Sequence, residues 1–139
     1  MRRAFTLLEM ILVIGALTMV SGLLTVWYRN AQIRSDLRSA TQQVAQGLGR
    51  AKLLSQSEKN DARWGFSTAS GVLFRGRTYA LRNRAYDESF VMPVTIKVSG
   101  LLEVTFAHLT GKPSATGAVI LTALNGEQQT VNVTAARAR

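Results

Sequence analysis

Arg75, Arg77, Arg82 and Arg84 fall within ten residues, interleaved with Phe74, Tyr79 and Tyr86. Guanidinium groups neutralise phosphates, and aromatic rings offer faces on which bases stack. A second short basic run, "ARAR", carries Arg137 and Arg139. Both runs fit nucleic acid, and both fit a solvated basic face with a solvated tail. Glu9 poses a different problem, because it stands inside the apolar stretch "FTLLEMILVIGALTMV". A carboxylate in hydrocarbon costs roughly 2.5–3.5 kcal/mol on insertion scales, so it needs a partner or a place near the interface beside Arg2 and Arg3. His108 is the only histidine, and no spacing supplies oxygen ligands around it, so no metal is expected. Cysteine is absent, which excludes disulfides, thiolate metal sites and a cysteine nucleophile. No Ser/His/Asp set, carboxylate pair or phosphate loop stands out. The chemistry expected is therefore binding and assembly, not catalysis, with no cofactor.

The elements that must position these residues change character along the 139-residue chain. Between residues 5 and 28 the only strongly ionisable side chain is Glu9. As a helix this run reaches about 36 Å, enough to cross a hydrocarbon core of ~30 Å. Arg2 and Arg3 precede it, so the positive-inside rule leaves the N-terminus in the cytoplasm and exports the rest. A cleaved secretory signal is the competing reading. Against it, the apolar stretch is long, and no small-x-small site followed by a break in helical pattern comes after it. Trp27 and Tyr28 end the run and suit an interfacial aromatic belt. The whole chain carries 17 basic and 8 acidic residues, a net charge of +9. Setting aside Arg2, Arg3 and Glu9 leaves 15 and 7, so +8 lies within residues 29–139. That excess favours anionic partners such as nucleic acid, phospholipid or surface polysaccharide.

Residues 29–58 contain no proline, and Ile33, Leu37, Ala40, Val44, Leu48 and Ala51 recur at spacings of three and four. They form one apolar stripe on a helix. Gly47 and Gly49 each weaken that helix by up to ~1 kcal/mol against Ala, or let another element pack closely. The pattern predicts a single helix from about residue 5 to about residue 56, ended by "SEKND". From residue 62 the period becomes two. Strands are expected over 63–68, 71–74, 89–92, 94–98, 102–107, 118–123 and 130–134, separated by "ASG", "VSG", "TGKPSATG" and "LNGE". "ALNGEQ" is a hairpin signal, because Asn-Gly tolerates the positive φ of a tight turn. No helical pattern follows a strand, so the sheet should be antiparallel. The expected class is α+β: a long N-terminal helix whose amphipathic half packs on an antiparallel sheet.

The stretch "RRAFTLLEMILVIGAL" resembles the N-terminus of type IV prepilins and pseudopilins. The resemblance implies a short basic leader, cleaved on the cytoplasmic side by a prepilin peptidase that also N-methylates the new first residue. Ala4 would end the leader, Phe5 would become the N-terminus, and Glu9 would be the fifth residue of the mature chain. The family usually has Gly before the cleavage site; Ala4 is also small. Many major pilins carry a proline at the place of Val26, and this chain does not. In the family's filaments the carboxylate lies near the N-terminal amine of a neighbouring subunit. Such a pair sets axial register more than it adds stability, because desolvation offsets much of the attraction.

The segment "VTFAHLTGKPSATGAVILTALNGEQQTVNVTAARAR" is similar to the end of GspH/FimT-type minor pilins and pseudopilins, through Phe106, Gly111, Gly117, Ile120, Leu121, Gly126 and residues 131–133. Some FimT-like relatives bind DNA through a C-terminal Gly-Arg-x-Arg motif, where this chain has Ala136, Arg137, Ala138 and Arg139. The organisation expected is a leader over 1–4, a transmembrane or filament-core helix over 5–28, its amphipathic continuation over 29–58, and a β domain with a basic tail over 59–139. The implied partners are other pilins or pseudopilins, the prepilin peptidase, the inner-membrane assembly platform and, before assembly, the bacterial inner membrane. The rival expectation is a surface-anchored DNA-binding minor pilin.

Overall fold

The computed structural model describes residues 5–57 and 62–135. A single helix, α1 (Leu7–Ser57), runs unbroken for 51 residues. Its start is set by Thr6: the Glu9 N–H lies 3.3 Å from the Thr6 hydroxyl oxygen and 3.1 Å from the Thr6 carbonyl. Residues 5–32 are all exposed, and burial begins with half-buried Ile33. From there Leu37, Ala40, Val44, Gly47, Leu48, Ala51 and Ser55 form the buried side of the helix. These positions include five of the six in the apolar stripe, so periodicity places the buried face correctly.

Seven strands follow among the described residues: β1 (Trp64–Ser67), β2 (Val72–Arg75), β3 (Asn83–Ser89), β4 (Ile96–Gly100), β5 (Glu103–Phe106), β6 (Gly117–Ala123) and β7 (Gln128–Val133). They make two sheets, one in the order β3-β2-β1-β5 and one in the order β4-β6-β7. Every pairing is antiparallel. The fold is α+β, with the long N-terminal helix packed on antiparallel sheets. Phe66, Leu73, Val104, Val119 and Leu121 are fully buried and close the core over the helix stripe.

Two expected strands are corrected. Residues 89–92 are not a strand beyond Ser89, and the segment read as strand from 94 begins at Ile96. Phe90 and Met92 alternate like a strand, but they are loop residues packed against the core, with Phe90 edge-on to Phe66 at 5.6 Å. The strand missed is β3, which is polar and largely exposed. It lies at the edge of its sheet, pairs only with β2 and does so across a register shift, so no burial pattern marks it. The Asn-Gly hairpin is present: Gly126, at φ 85°, closes the β6–β7 turn by donating to the Ala123 carbonyl at 3.0 Å.

Ser55 fastens the far end of the helix to the first sheet. Its buried hydroxyl donates to the Ala51 carbonyl at 2.9 Å and accepts the Trp64 N–H at 3.0 Å, while its own carbonyl accepts the Leu109 N–H at 3.1 Å.

The two glycines of the helix have opposite surroundings. A Cβ at Gly47 would come 2.3 Å from Cε2 of Phe66, a ring that is fully buried. A Cβ at Gly49 would meet nothing within 4 Å. Overpacking costs about 1–3 kcal/mol, more than the gain in helix propensity of roughly 0.5–1 kcal/mol. Gly47→Ala should therefore lower the melting temperature of the detergent-solubilised full chain, and Gly49→Ala should raise it. Shifts of the same sign in both variants would refute the close approach of Phe66 to Gly47.

Candidate assembly helix and basic face

The first half of α1 is apolar almost all round and stands clear of the sheets. Leu17 is 61% exposed and Trp27 74%. The helix is long and apolar enough to cross a membrane, and its most apolar window is not buried within the protein. Contiguous apolar surface of this extent marks a site of contact with lipid or protein. Its polar side chains satisfy themselves. The hydroxyls of Thr18, Ser21 and Thr25 donate to the carbonyls of Gly15, Leu17 and Ser21 at 2.8–2.9 Å. Between Leu7 and Val26 the one charged group is Glu9.

Glu9 is exposed, and among the described residues it has no ion-pair partner. Its position relative to Thr6 was legible and missed. Thr-x-x-Glu is the pattern of a helix capping box, with Thr6 as N-cap and Glu9 as the third helical residue. The Thr6 hydroxyl receives the Glu9 N–H, which is half of that box. An anionic side chain in the first turn also faces the positive end of the helix dipole. Glu9 thus has a local reason to stand where it does, beside any intersubunit one. Phe5 is exposed immediately before the cap. Ala4 lies outside the described residues.

The four central arginines fall on and around the β2–β3 connection, and the structure uses two of them internally. The guanidinium of Arg82 lies 3.8 Å from the ring centre of Tyr79, bonds Asp87 at 2.8 Å through Nε and donates to the Tyr79 carbonyl at 2.8 Å. The Asp87 hydrogen bond raises the Arg82 pKa above its ordinary value. Arg75 lies 4.8 Å over the ring of Tyr86. The same rings meet Phe74 and Trp64 edge-on at 5.6 and 6.2 Å. Each tyrosine therefore already carries a cation–π contact and an aromatic neighbour. Arg77 and Arg84 are exposed.

Pairing of Trp64 with Arg75 adds a residue that sequence spacing did not offer. Arg63 is carried beside Arg75 and Arg77, and the three line one cleft of about 220 Å³ with Ala62 and Gly76. This basic face lies toward the far end of the head, since Trp64 bonds Ser55 and Gly76 donates to the Arg63 carbonyl. Arg137 and Arg139 lie outside the described residues, so their expected role stands on sequence. His108 is half-buried in the turn after β5. Among the described residues no group of three His, Cys, Asp or Glu side chains is placed to hold a metal.

No family model, curated protein or solved structure matches this chain.

Proposed function

We propose that the chain is a minor pilin or pseudopilin of the GspH/FimT type, a structural subunit of a type IV pilus or a type II secretion pseudopilus. The observation that carries this reading is the division of α1. Residues 5–32 are exposed and mostly apolar, while the continuation from Ile33 is the floor of the head. The motif "FTLLE" at the start of the helix supports it. On this reading the precursor is held in the bacterial inner membrane by a single span with its N-terminus inside. Prepilin peptidase trims it after Ala4 and methylates Phe5. The assembly platform then moves the helix from lipid into a bundle with other pilins. Lipid tails and neighbouring apolar helices are similar surroundings, and the self-bonded hydroxyls of Thr18, Ser21 and Thr25 suit both. Glu9 is the group that distinguishes them, because a neighbouring N-terminal amine offers it a partner that lipid does not.

A surface-anchored DNA-binding subunit is the weaker reading. Arg77, Arg84 and the Arg63 cleft are open to phosphate, but the rings of Tyr79 and Tyr86 are already occupied by Arg82 and Arg75. Binding would rest on charge without stacking and would weaken steeply with salt.

Intact-mass and N-terminal analysis of protein from its native host should find N-methyl-Phe5 as the first residue. A mature chain that still begins at Met1 would overturn the pilin reading.

Glu9→Gln separates the two roles of the carboxylate. Glutamine serves equally well at the third position of a capping box, so the helix start should survive. The charge is lost, so recovery of the variant in sheared filaments should fall while its membrane insertion is unchanged or improved. Recovery equal to wild type would leave Glu9 with its capping role alone.

A further inference from the structure

The head is oriented along the helix. Glu127 pairs with Arg34 at 3.0 Å, and residues 131–134 line a cleft with Ala45, Leu48, Gly49 and Lys52. Strand β7 therefore runs beside α1 away from the exposed half, and β6 returns toward it. Ile96 pairs with Ala123, so β4 starts at this same near end. Two loop tips consequently face the exposed half of the helix. The β6–β7 turn presents Leu124, 66% exposed, and the β3–β4 connection presents Val94, which is fully exposed. Leu109, at the far end, is as exposed at 68%, so it is height and not exposure alone that sets these two apart.

Their height suits another medium. Arg34 is about 9 Å along the axis from Tyr28, at ~1.5 Å per residue. Leu124 and Asn125 form the tip of the turn, on the Tyr28 side of Glu127. A headgroup layer is roughly 5–8 Å thick, half the difference between the full bilayer and its hydrocarbon core. Arg29 stands within that layer, about 1.5 Å along the axis from Tyr28. Arg34 is paired, whereas Arg29 has no ion pair among the described residues. A cleft of about 540 Å³ there is lined by Trp27, Asn30, Ala31, Arg34, Ser35 and Arg38. Indole and guanidinium groups around an open cleft match the glycerol-phosphate region of a lipid.

We infer that the near end of the head is a membrane-contact surface: Val94 and Leu124 dip into the interface of an anionic phospholipid bilayer while Arg29 meets its phosphates. The inference rests on the reading of the exposed half of α1 as a membrane span. It adds that the unassembled subunit is seated on the bilayer by its head as well as threaded through it. Both continuity with the span and the sign of the charge select lipid as the occupant.

The chain has no cysteine, so single cysteines report positions without background. The full chain would be reconstituted at low protein density in phosphatidylglycerol-containing vesicles, with an environment-sensitive fluorophore at Leu17→Cys, Val94→Cys, Leu124→Cys or Leu109→Cys. Leu109 is 68% exposed and sits at the far end, bonded to Ser55. Lipid-attached nitroxides placed at the headgroup should quench the probes at 94 and 124 and leave 109 unquenched; nitroxides deep in the acyl chains should quench 17. Unquenched 17 means the span reading has failed. Quenched 17 with 94 and 124 no different from 109 overturns the head-contact inference alone. A blue shift of the probes at 94 and 124 without headgroup quenching, lost on dilution of protein in lipid, assigns the surface to neighbouring subunits and overturns it as well.

Discussion

Leu37, Ala40, Val44, Leu48 and Ala51 form the surface on which the head is closed. Each is at most 7% exposed, and each lies one helical turn from the next. Neither sheet can bury its own apolar face, because the sheets are small and pair through no shared strand. The helix stripe is their common floor. Phe66 and Val104 from one sheet and Val119 and Leu121 from the other belong to the same core cluster as the stripe. The small residues in the floor matter as much as the large ones, since Gly47 leaves the space that the Phe66 ring fills.

The same helix meets two demands that would conflict in a shorter element. Along its first half every residue from Met10 to Val26 can face an apolar medium, because the backbone bonds itself and the hydroxyls bond the backbone. Along its second half only one side is apolar, and the rest is solvated. The change falls between Tyr28 and Ile33, where Arg29, Asn30 and Gln32 appear. No break in the helix is needed there, so the position and tilt of the head follow rigidly from those of the exposed half.

Much of this was legible. The helix and its buried face follow from spacings of three and four. Strands β1, β2, β5, β6 and β7 fall within a few residues of their expected places: β6 and β7 alternate because one side is buried, whereas β1, β2 and β5 are short apolar runs between turn residues, buried along most of their length. Strand β3 was not legible: "NRAYDES" is an edge strand exposed on most positions, and polar runs of that kind read as loop. Phe90 and Met92 misled for the opposite reason, since loop residues that plug a core can alternate by chance. The division into two sheets depends on which strands find each other across the chain, which local pattern does not encode. Among the charged residues, the number of arginines was plain, but the engagement of Arg82 with Asp87 and Tyr79 required the fold of the β2–β3 connection. Arg63 joined them only through strand pairing. The Thr6–Glu9 cap was written in the sequence and was overshadowed by the longer apolar context.

The anchorage at Ser55 has a mechanical meaning. Strand β7 lies beside α1 from Arg34 to the neighbourhood of Lys52, and Ser55 ties the helix terminus to both Trp64 and Leu109. Tension applied to the exposed half of α1 would act along this strand, loading the side-by-side contacts together in shear. Peeling would have to start at Arg34–Glu127, an exposed ion pair worth little by itself, while the tightest fastening lies at the opposite end. The head is thus built to yield first where it is nearest the pull and to hold longest where the helix ends.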